Sequence, residues 1–293
     1  MFPAQFEYRR AHSSDDAIAA LAGYGSDARI LAGGQSLIPA MRFRLARPSA
    51  LVDIGGLDEL AYVREGDGCL IVGATARDAA IERSPLVASR YHLIADAGRV
   101  VADPIVRQTG TLVGSLCHND PSGDWPAVAL AARARIVTKS KSGTRTLEID
   151  DFLVDSYTTA LAEGEMATEV RFPTPSQRAS GSYQKIERKV GDFATAAAAV
   201  QIALNPDGTI ADAGVALAAL GAKALRVTAA EKLLLGAKPS RDAIRAAADE
   251  ASKAADPSPD NRGSVEYKRA MAGVLVARAL AATFERLKVG GLQ

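Results

Sequence analysis

Short apolar stretches with alternating polar positions recur through roughly the first 175 residues, and each ends in a glycine-rich or polar turn. Alternation with a period of two is typical of strands, and a polar capping residue before apolar positions three or four apart is typical of a helix start. The pattern predicts strands at 6–10, 28–33, 50–54 and 165–173, and hairpins at 62–72 (turn Gly66–Gly68) and 135–149 (turn Ser142–Gly143). It predicts helices from the cap Ser13–Asp15 to Tyr24, from the cap Thr75 to Arg83, and from Trp125 to Arg135.

A polar segment at 174–182, with a proline and several small residues, separates this part of the chain from the rest. Domain boundaries usually fall in polar, proline-containing linkers of this kind. We therefore predict two domains, 1–176 and 177–293, and a division of the first into two subdomains near 55–60.

Beyond the boundary, strand-like runs come first and helix-like runs follow, which is typical of an α+β unit. An apolar strand is predicted at 210–220, and helices are predicted from Ser240 and over 264–288. Segment 194–203 stays open between a helix, which its alanines favour, and a strand, which its position between turns favours. In the last helix, apolar residues recur at the three- and four-residue steps of a core-facing side: Met271, Val274, Ala277, Ala281, Phe284 and Leu287.

Length and charge narrow the classes of function. A chain of 293 residues is too long for one ordinary core and suits two domains. A formal net charge of +1 gives no electrostatic case for binding nucleic acid or an anionic membrane surface. No apolar run approaches the about 18–20 residues of a membrane span, and the N-terminus lacks the apolar core of a secretory signal. We therefore expect a cytoplasmic protein.

Cysteines and histidines are too few for metal chemistry held by this chain. Cys69 and Cys117 are the only cysteines, and His12, His92 and His118 are the only histidines. Two cysteines make no disulfide framework and hold no iron–sulfur cluster alone, and we expect no structural metal site. Any redox-active group is therefore organic or belongs to a partner.

A first glycine loop, residues 32–37, follows a predicted strand. Its adjacent glycines do not match the G-x-G-x-x-G spacing of dinucleotide-binding loops, and it lacks the lysine of a P-loop. Successive backbone N–H groups from Gly33 to Ser36 are nevertheless able to form an anion-binding nest at the start of a short helix. The alternative is a tight strand-to-helix turn that binds nothing.

A second loop, residues 103–127, is too rich in small and polar residues to be a simple core crossing. Thr111 and Ser115 offer hydroxyl groups, and Gly114 allows the backbone to come close to a ligand. Asp124 carries a carboxylate that is able to accept two neighbouring hydroxyls, as on a ribose. A long polar loop inside a compact domain is usually functional, and two such loops suit a pyrophosphate held between them.

Together the two loops resemble the FAD-binding, or medium, subunit of the molybdenum hydroxylases, and within that family the aerobic carbon monoxide dehydrogenases and their relatives. The motif A-G-G-x-S-L-[IL]-P stands here at 32–39, and T-[IL]-x-G stands at 111–114. The likeness continues in D-P-S-G-D-W-P-A at 120–127 and in K-V-G-D-F-A at 189–194, so it extends over essentially the whole chain.

The resemblance implies a fold like that of vanillyl-alcohol oxidase, in which two small α+β subdomains clasp FAD and a further, smaller α+β domain covers the flavin ring. Residues 1–176 would then be the FAD-binding domain. The resemblance implies these contacts to FAD: Ala32, Gly33, Gly34, Gln35, Ser36, Leu37, Ala102, Thr109, Thr111, Gly114, Ser115, Asp124, Leu161, Lys185 and Phe193. Residues 32–37 and 111–115 would hold the pyrophosphate, Asp124 would bind the adenosine ribose, and Leu161 and Lys185 would lie near the isoalloxazine.

The family's organisation places the remaining cofactors on other chains. A large subunit with a molybdenum cofactor oxidises the substrate, a small subunit carries two [2Fe–2S] clusters, and FAD on this chain passes the electrons to an external acceptor. The resemblance implies a dimer of heterotrimers and leaves open a peripheral association with a membrane. Carbon monoxide, a purine, an N-heterocycle, an aldehyde and an acyl thioester all stay open as substrates.

Three departures from the family pattern bear on the site. Gln35 stands where some relatives have histidine, and Val113 and Ser115 replace the glycine and asparagine of a fuller T-x-G-G-N pattern. Phe193 is placed either to shield the flavin or to pack within the protein. Two other functions stay open: a self-sufficient flavin oxidase and a non-catalytic nucleotide-binding module. Neither a nucleophile–base arrangement nor paired carboxylates stand out, so we expect no catalytic residue in this chain.

Overall fold

The computed structural model describes residues 2–289 and begins with a small parallel sheet. Its elements are β1 (Glu7–Arg10), α1 (Ser14–Tyr24), β2 (Ala28–Leu31), α2 (Leu37–Arg42) and β3 (Ala50–Asp53), with the strands in the order β1-β3-β2. Ser13 caps α1 as predicted, since its hydroxyl accepts a hydrogen bond from the backbone N–H of Asp16. The first glycine loop lies between β2 and α2, at the carboxyl edge of this sheet.

A single 3₁₀ turn, Asp58–Leu60, leads to a second, antiparallel sheet with the strand order β4-β5-β10-β6-β7. Its strands are β4 (Val63–Gly66), β5 (Cys69–Gly73), β6 (Arg135–Ser140), β7 (Gly143–Glu148) and, after the small ribbon β8 (Leu153–Asp155) and β9 (Thr158–Thr159), β10 (Met166–Pro173). Six helices are inserted between β5 and β6: α3 (Asp78–Glu82), α4 (Pro85–Arg90), α5 (His92–Val100), α6 (Pro104–Arg107), α7 (Leu112–His118) and α8 (Asp124–Ala131). A short α9 (Ile149–Phe152) follows β7.

Two predicted helix boundaries in this region are wrong. Thr75 is not a helix cap, because its hydroxyl donates to the carbonyl of Leu57 at 2.9 Å and α3 begins only at Asp78. The helix expected to reach Arg135 ends at Ala131. Arg133 has a φ of 51°, which ends a right-handed helix and turns the chain into β6.

The third part of the fold is a four-stranded antiparallel sheet backed by three helices. It contains β11 (Ala179–Ile186), β12 (Ala196–Leu204), β13 (Ile210–Ala218), β14 (Leu225–Arg226), α10 (Thr228–Leu234), α11 (Arg241–Ala254) and α12 (Val265–Arg286). Residues 179–182, expected in the linker, already belong to β11. The predicted α+β class is confirmed by this combination of sheets and helices.

The alanine-rich segment at 194–203 forms β12 because it is buried on both faces. Ala197 and Ala199 pack towards the helices of the second part, whereas Ala196, Ala198 and Val200 pack towards α10–α12. Alternate residues of a strand point to opposite faces, so a strand between two layers needs apolar residues at every position. Tertiary burial here outweighs the helix propensity of alanine.

The C-terminal helix buries Phe284 as predicted, but the rest of its buried face differs from the predicted one. Val274 is exposed, and Met271 and Ala277 are only half-buried. The buried side is instead formed by Ala272, Gly273, Leu275, Val276, Ala279, Leu280, Thr283 and Phe284. The predicted face is thus rotated by about one residue, because the strip of small residues packs closely against α11 and β12. The helix α10 was not predicted at all.

The two domains meet closely at the centre of the molecule. Gly214 of β13 lies so near the end of α8 that a Cβ added to it would come within 2.8 Å of the carbonyl carbon of Ala131. Arg286, at the end of α12, forms an ion pair with Asp96 of α5 at 2.8 Å and also donates to the carbonyl of Gly181. These contacts hold β13 against α8 and, through Arg286, β11 against α5.

Candidate cofactor site

The two loops singled out in the sequence lie against each other. A Cβ added to Gly33 would stand 2.9 Å from the carbonyl carbon of Thr109 and closer still to its oxygen, so the backbones touch where Gly33 has no side chain. The Gln35 side-chain amide donates to the Thr109 hydroxyl at 2.5 Å. The folded chain therefore brings Gly33, Gln35 and Thr109 together across 74 residues of sequence.

Arg77 joins both loops through their backbone carbonyls. Its guanidinium donates to the carbonyl of Thr109 at 2.7 Å, to that of Gly55 at 2.8 Å and to that of Ala32 at 3.4 Å. The planar fork of an arginine is suited to several acceptors at once. Arg77 was missed in the sequence, where nothing distinguishes it from an ordinary charged residue beside Asp78. The bridge between Arg77 and Thr111 follows from the fold alone.

The first loop keeps a run of backbone donors available. Among the described residues, the N–H groups of Gly33, Gly34, Gln35 and Ser36 find no acceptor in the protein. Gly34 has a φ of +72°, a conformation that glycine adopts without strain. Ser36 and Leu37 begin α2, and Ser36 makes no capping bond with its side chain. Successive free N–H groups around a left-handed glycine are the geometry of an anion-binding nest.

The second loop contains the beginning of α7, where the first turn is capped by a side chain. Thr111 is the N-cap of α7, and its hydroxyl accepts the N–H of Gly114 at 3.2 Å. A Cβ on Gly114 would stand 2.5 Å from that hydroxyl, so a larger residue here would require the Thr111 side chain to shift. Ser115 follows in the first turn and is half-buried. Val113, which replaces a family glycine, is buried in the core and leaves the turn intact.

A buried carboxyl group, Asp78, lies beneath the second loop. It accepts the indole N–H of Trp125 at 3.0 Å, and its backbone N–H donates to the carbonyl of Gly110 at 2.9 Å. Burial raises the pKa of Asp78 to about 7, against the lowering influence of the Trp125 hydrogen bond and of Arg107. No sequence pattern predicted a buried carboxyl group beside Gly110.

The raised pKa of Asp78 predicts a pH-dependent stability. A carboxyl whose pKa is higher in the folded than in the unfolded chain contributes stability below about pH 4, and that contribution is lost as the pH rises to about 7. Relative to Asp78→Asn, the wild type should therefore lose about 3–4 kcal/mol of unfolding free energy between pH 4 and pH 8, because each unit by which folding raises a pKa corresponds to about 1.4 kcal/mol. Denaturant unfolding of both proteins across this range measures it. Parallel pH profiles of the two proteins would contradict the buried-carboxyl interpretation.

Arg77 provides a second test. In Arg77→Lys the charge is kept, but one ammonium group cannot span three carbonyls that lie in different directions. We expect FAD to bind about 10-fold more weakly, a loss of about 1.4 kcal/mol, with the fold retained. Fluorescence titration of the flavin-free protein with FAD measures the change. Arg64→Lys, at an exposed arginine over the Tyr62 ring, is the control and should leave FAD affinity unchanged.

Asp124 and Lys185 form a buried ion pair. Asp124 stands in the first turn of α8, where its carboxylate accepts the Tyr183 hydroxyl at 2.7 Å and the Lys185 ammonium at 3.2 Å. Lys185 also donates to the carbonyl of Val100 at 3.0 Å and lies 3.2 Å from a carboxylate oxygen of Glu187. The ammonium group thus makes two hydrogen bonds, to Val100 and Asp124, while the nearby Glu187 oxygen is buried and accepts no hydrogen bond.

Burial determines the protonation behaviour of this cluster. It raises the pKa of Asp124, although Lys185 and the hydrogen bond from Tyr183 oppose the rise. The pKa of Tyr183 lies well above its usual value because of burial and the neighbouring Asp124. Tyr183, Lys185 and Glu187 occupy alternate positions of the segment 183–187, so they face the same side. That period-two run of polar residues is the signal by which Tyr183 and Glu187 could have been found.

The remaining predicted residues lie around these two centres. Ala102 adopts a φ of 47°, and its carbonyl accepts a hydrogen bond from Arg107 at 2.9 Å. Leu161 is half-buried against the first hydrophobic core. Phe193 is 52% exposed, and the loop that carries it rests against Asp103 through Gly191. The shielding role of Phe193 stays a prediction.

Cys117 and His118, at the end of α7, have no features of reactive groups. Burial raises the pKa of the Cys117 thiol to about 12, which keeps it protonated. Burial also lowers the pKa of His118, and Asp120, at 4.0 Å, only partly opposes this. Within residues 2–289 no group of three histidine, cysteine or acidic side chains is placed to hold a metal ion. In the same part of the chain no helix is long and apolar enough to cross a membrane.

The residues present fit a dinucleotide cofactor. The free N–H groups of the first loop suit a phosphate, and the contact of Gly33 with Thr109 brings the second loop to the same place. Asp124, in the first turn of α8, and Lys185, near the end of β11, offer a polar, buried wall. Both oxygens of Asp124 already have protein donors, so binding of a ribose hydroxyl would use their remaining lone pairs.

Comparisons with known proteins agree with this geometry over nearly the full chain. Residues 4–175 match the FAD binding domain in molybdopterin dehydrogenase, and residues 181–283 match the CO dehydrogenase flavoprotein C-terminal domain. The carbon monoxide dehydrogenase medium chain of Hydrogenophaga pseudoflava is 39% identical, covering 98% of this chain and 99% of its own. The nicotine 6-hydroxylase medium subunit of Paenarthrobacter nicotinovorans is 37% identical over 87% of this chain and 89% of its own.

Solved structures give the same result. A chain of carbon monoxide dehydrogenase from Hydrogenophaga pseudoflava, in a form lacking the Mo-pyranopterin moiety of the molybdenum cofactor, superposes with a TM-score of 0.94. It is 40% identical and covers 98% of this chain and 99% of its own. The resemblance found in the two glycine loops is thereby confirmed: the chain belongs to the FAD-binding medium subunits of the molybdenum hydroxylases, a family of oxidoreductases that includes the carbon monoxide dehydrogenase medium chains.

Proposed function

We propose that this chain is the electron-transfer subunit of a molybdenum hydroxylase. It receives electrons from [2Fe–2S] clusters on a small partner subunit and passes them through its FAD to an external acceptor. Substrate oxidation takes place at a molybdenum cofactor on a large partner subunit. The observation that carries the proposal is the contact of two loops that leaves four successive backbone N–H groups free.

The roles of this chain's residues follow from the contacts they make. Backbone donors of Gly33 to Ser36 bind the pyrophosphate, and Arg77 holds the first loop against Thr109. Thr111 and Gly114 shape the start of α7 on the opposite side. FAD, when bound, supplies the redox chemistry, accepting electrons and releasing them one or two at a time.

The cluster around Lys185 is proposed to bind and orient the rest of the cofactor. Asp124 faces the ribose, and Leu161 and Lys185 lie near the isoalloxazine. Lys185 is held by Val100, Asp124 and Glu187. It therefore acts as a fixed positive charge that sets the polarity of the pocket wall rather than as a mobile donor. No side chain of this chain is needed as a primary acid or base.

The substrate is proposed to be selected elsewhere. The two relatives described above belong to enzymes named for carbon monoxide and for nicotine, yet each is more than one third identical to this chain. Similarity in this subunit therefore does not follow the substrate. We propose a cytoplasmic complex with an iron–sulfur and a molybdenum subunit, arranged as a dimer of heterotrimers.

The decisive experiment is to isolate the tagged chain from its native host and to measure flavin, iron and molybdenum in what co-purifies. Flavin, iron and molybdenum in a fixed ratio, and bleaching of the flavin absorbance when an oxidisable substrate is added, support the proposal. Flavin alone, reduced by a substrate that reacts with this chain directly, would show a self-sufficient oxidase. Protein that carries no flavin even with its partners present would contradict the FAD-binding role.

A further inference from the structure

An exposed strip of alternating arginines and large apolar residues follows the first glycine loop. We call residues 42–47 the arginine strap. Phe43 is 72% exposed and Leu45 is 84% exposed, and the arginines at 42, 44 and 47 are exposed beside them. Contiguous exposed apolar side chains on a folded surface usually mark an interaction site.

The strap carries positive charge without a counter-charge. Within residues 2–289, none of its three arginines forms an ion pair with an acidic side chain, although many other arginines of the chain do. The only side-chain bond here runs from Arg47 to the carbonyl of Arg44 at 3.2 Å. Six consecutive residues therefore present three unneutralised charges on a chain whose formal net charge is +1.

The strap is held in place by backbone bonds to α2. The N–H of Phe43 donates to Pro39 at 3.0 Å, and the N–H of Leu45 donates to Ala40 at 2.9 Å. Met41, between them, is buried with 3% exposure. The exposed residues thus lie on an ordered turn, so this segment would lose little conformational entropy when a partner binds it.

The exposed surface continues from the strap towards β1. Ile38, 44% exposed, lies one helical turn before Arg42 and lines an open pocket of about 290 Å³. Tyr8 and Arg10 form another wall of this pocket, and every residue of β1 is exposed. Gly33 of the first loop lines the same pocket. A partner seated on the strap would therefore lie directly beside the loop that binds the cofactor.

We propose that the arginine strap is the docking surface for the subunit that delivers electrons to the FAD. The partner face is inferred to have an apolar centre, which covers Phe43 and Leu45, and a rim of acidic side chains that pair with the arginines. Arginine and aromatic residues are the residue types that dominate binding energy in protein interfaces, and charge complementarity speeds docking. The proposal rests on the proposed function, since it assigns a place to the partner named there.

The test compares two charge-reversed variants of the FAD-loaded full chain. The first carries Arg42→Glu, Arg44→Glu and Arg47→Glu. Mixed with the purified iron–sulfur and molybdenum subunits at low salt, it should associate at least about 10-fold more slowly than wild type. The wild-type rate should fall steeply with added salt while the variant's rate changes little. Light scattering and the rate of flavin reduction report the association.

The matched control reverses three exposed charges far along the chain: Lys232→Glu, Arg241→Glu and Arg245→Glu, all within or beside α10 and α11. Control association close to that of wild type, with normal flavin content in both variants, supports the proposal. Normal association of the strap variant, or an equal loss in the control, overturns the docking surface alone. Loss of self-association without loss of partner binding would assign the strap to a second copy and also overturn it. A wild type that carries no FAD and joins no partner would instead refute the proposed function.

Discussion

Gly33→Ala is expected to weaken FAD binding at least about 100-fold, a loss of about 2.7 kcal/mol. The added methyl group would stand 2.9 Å from the carbonyl carbon of Thr109 and closer still to the oxygen. The atoms that this methyl group would meet belong to the backbone, which cannot rotate aside as a flexible side chain can. The two loops must therefore separate, and overpacking of this kind typically costs about 1–3 kcal/mol.

The separation would act on the cofactor site in two ways. It would lengthen the bond from Arg77 to Thr109, which is 2.7 Å in the native structure. It would also move the N–H donors of residues 33–36 relative to the start of α7. The two loops could then not both bind one pyrophosphate at ideal distances. Isothermal titration of the flavin-free variant with FAD gives the affinity, and circular dichroism establishes that it is folded.

Gly23→Ala is the control for this substitution. Gly23 lies within α1, and nothing stands within 4 Å of an added Cβ. Alanine is the better helix former, so this change should stabilise the chain by up to about 1 kcal/mol and leave FAD affinity unchanged. If Gly33→Ala bound FAD as tightly as Gly23→Ala, the loop contact would not be what shapes the site.

The sequence predicted the parts of the site that depend on backbone conformation. The adjacent glycines Gly33 and Gly34 are apparent from the sequence. In the structure, Gly34 has a positive φ and Gly33 lies against the backbone of Thr109. Strands and caps set by local pattern, such as β1 and the Ser13 cap of α1, were likewise predictable. For Gly34, β1 and the Ser13 cap the physical cause lies within a few residues of the position itself, whereas Gly33 is required by its contact with Thr109.

What could not be predicted depends on contacts between distant residues. Arg77 acquires its role only because Ala32 and Thr109 meet, and a single arginine gives no sign of which carbonyls it will reach. The sequence left β12 open between helix and strand, because the conformation of its alanines is determined by burial between layers on both sides. The buried face of α12 was misplaced by about one residue because apolar residues lie on two adjacent sides of this helix, and only its contacts with α11 and β12 decide which side is buried.

Lys185→Met is expected to lower the free energy of unfolding by about 3–5 kcal/mol, the usual cost of removing one partner from a buried ion pair. The Lys185 side chain is 2% exposed and lies 3.2 Å from both Asp124 and Glu187. Methionine fills a similar volume but leaves two carboxylates together without a counter-charge. The loss should also loosen β11 from α5 and α8, because Lys185 joins the carbonyl of Val100 to Asp124.

The effect of Lys185→Met should depend on pH with a definite sign. Burial already raises the pKa of Asp124, and the present opposition from Lys185 would disappear in the variant. A carboxyl with a raised folded pKa stabilises the fold at low pH and loses this contribution as the pH rises. The deficit of Lys185→Met relative to wild type should therefore be small near pH 4 and largest above neutrality, as measured by urea unfolding.

Two further variants distinguish an ion-pair effect from a packing effect. Lys185→Met with Glu187→Gln removes one of the two unpaired charges and should recover part of the lost stability, whereas a packing defect would persist. Lys253→Met, at a lysine that is 70% exposed in its pair with Glu250, should change stability by less than about 0.5 kcal/mol. A pH-independent loss, unchanged by Glu187→Gln, would mean that Lys185 serves mainly as buried volume between β11 and α8. The fixed positive charge assigned to the pocket wall would then have no energetic support.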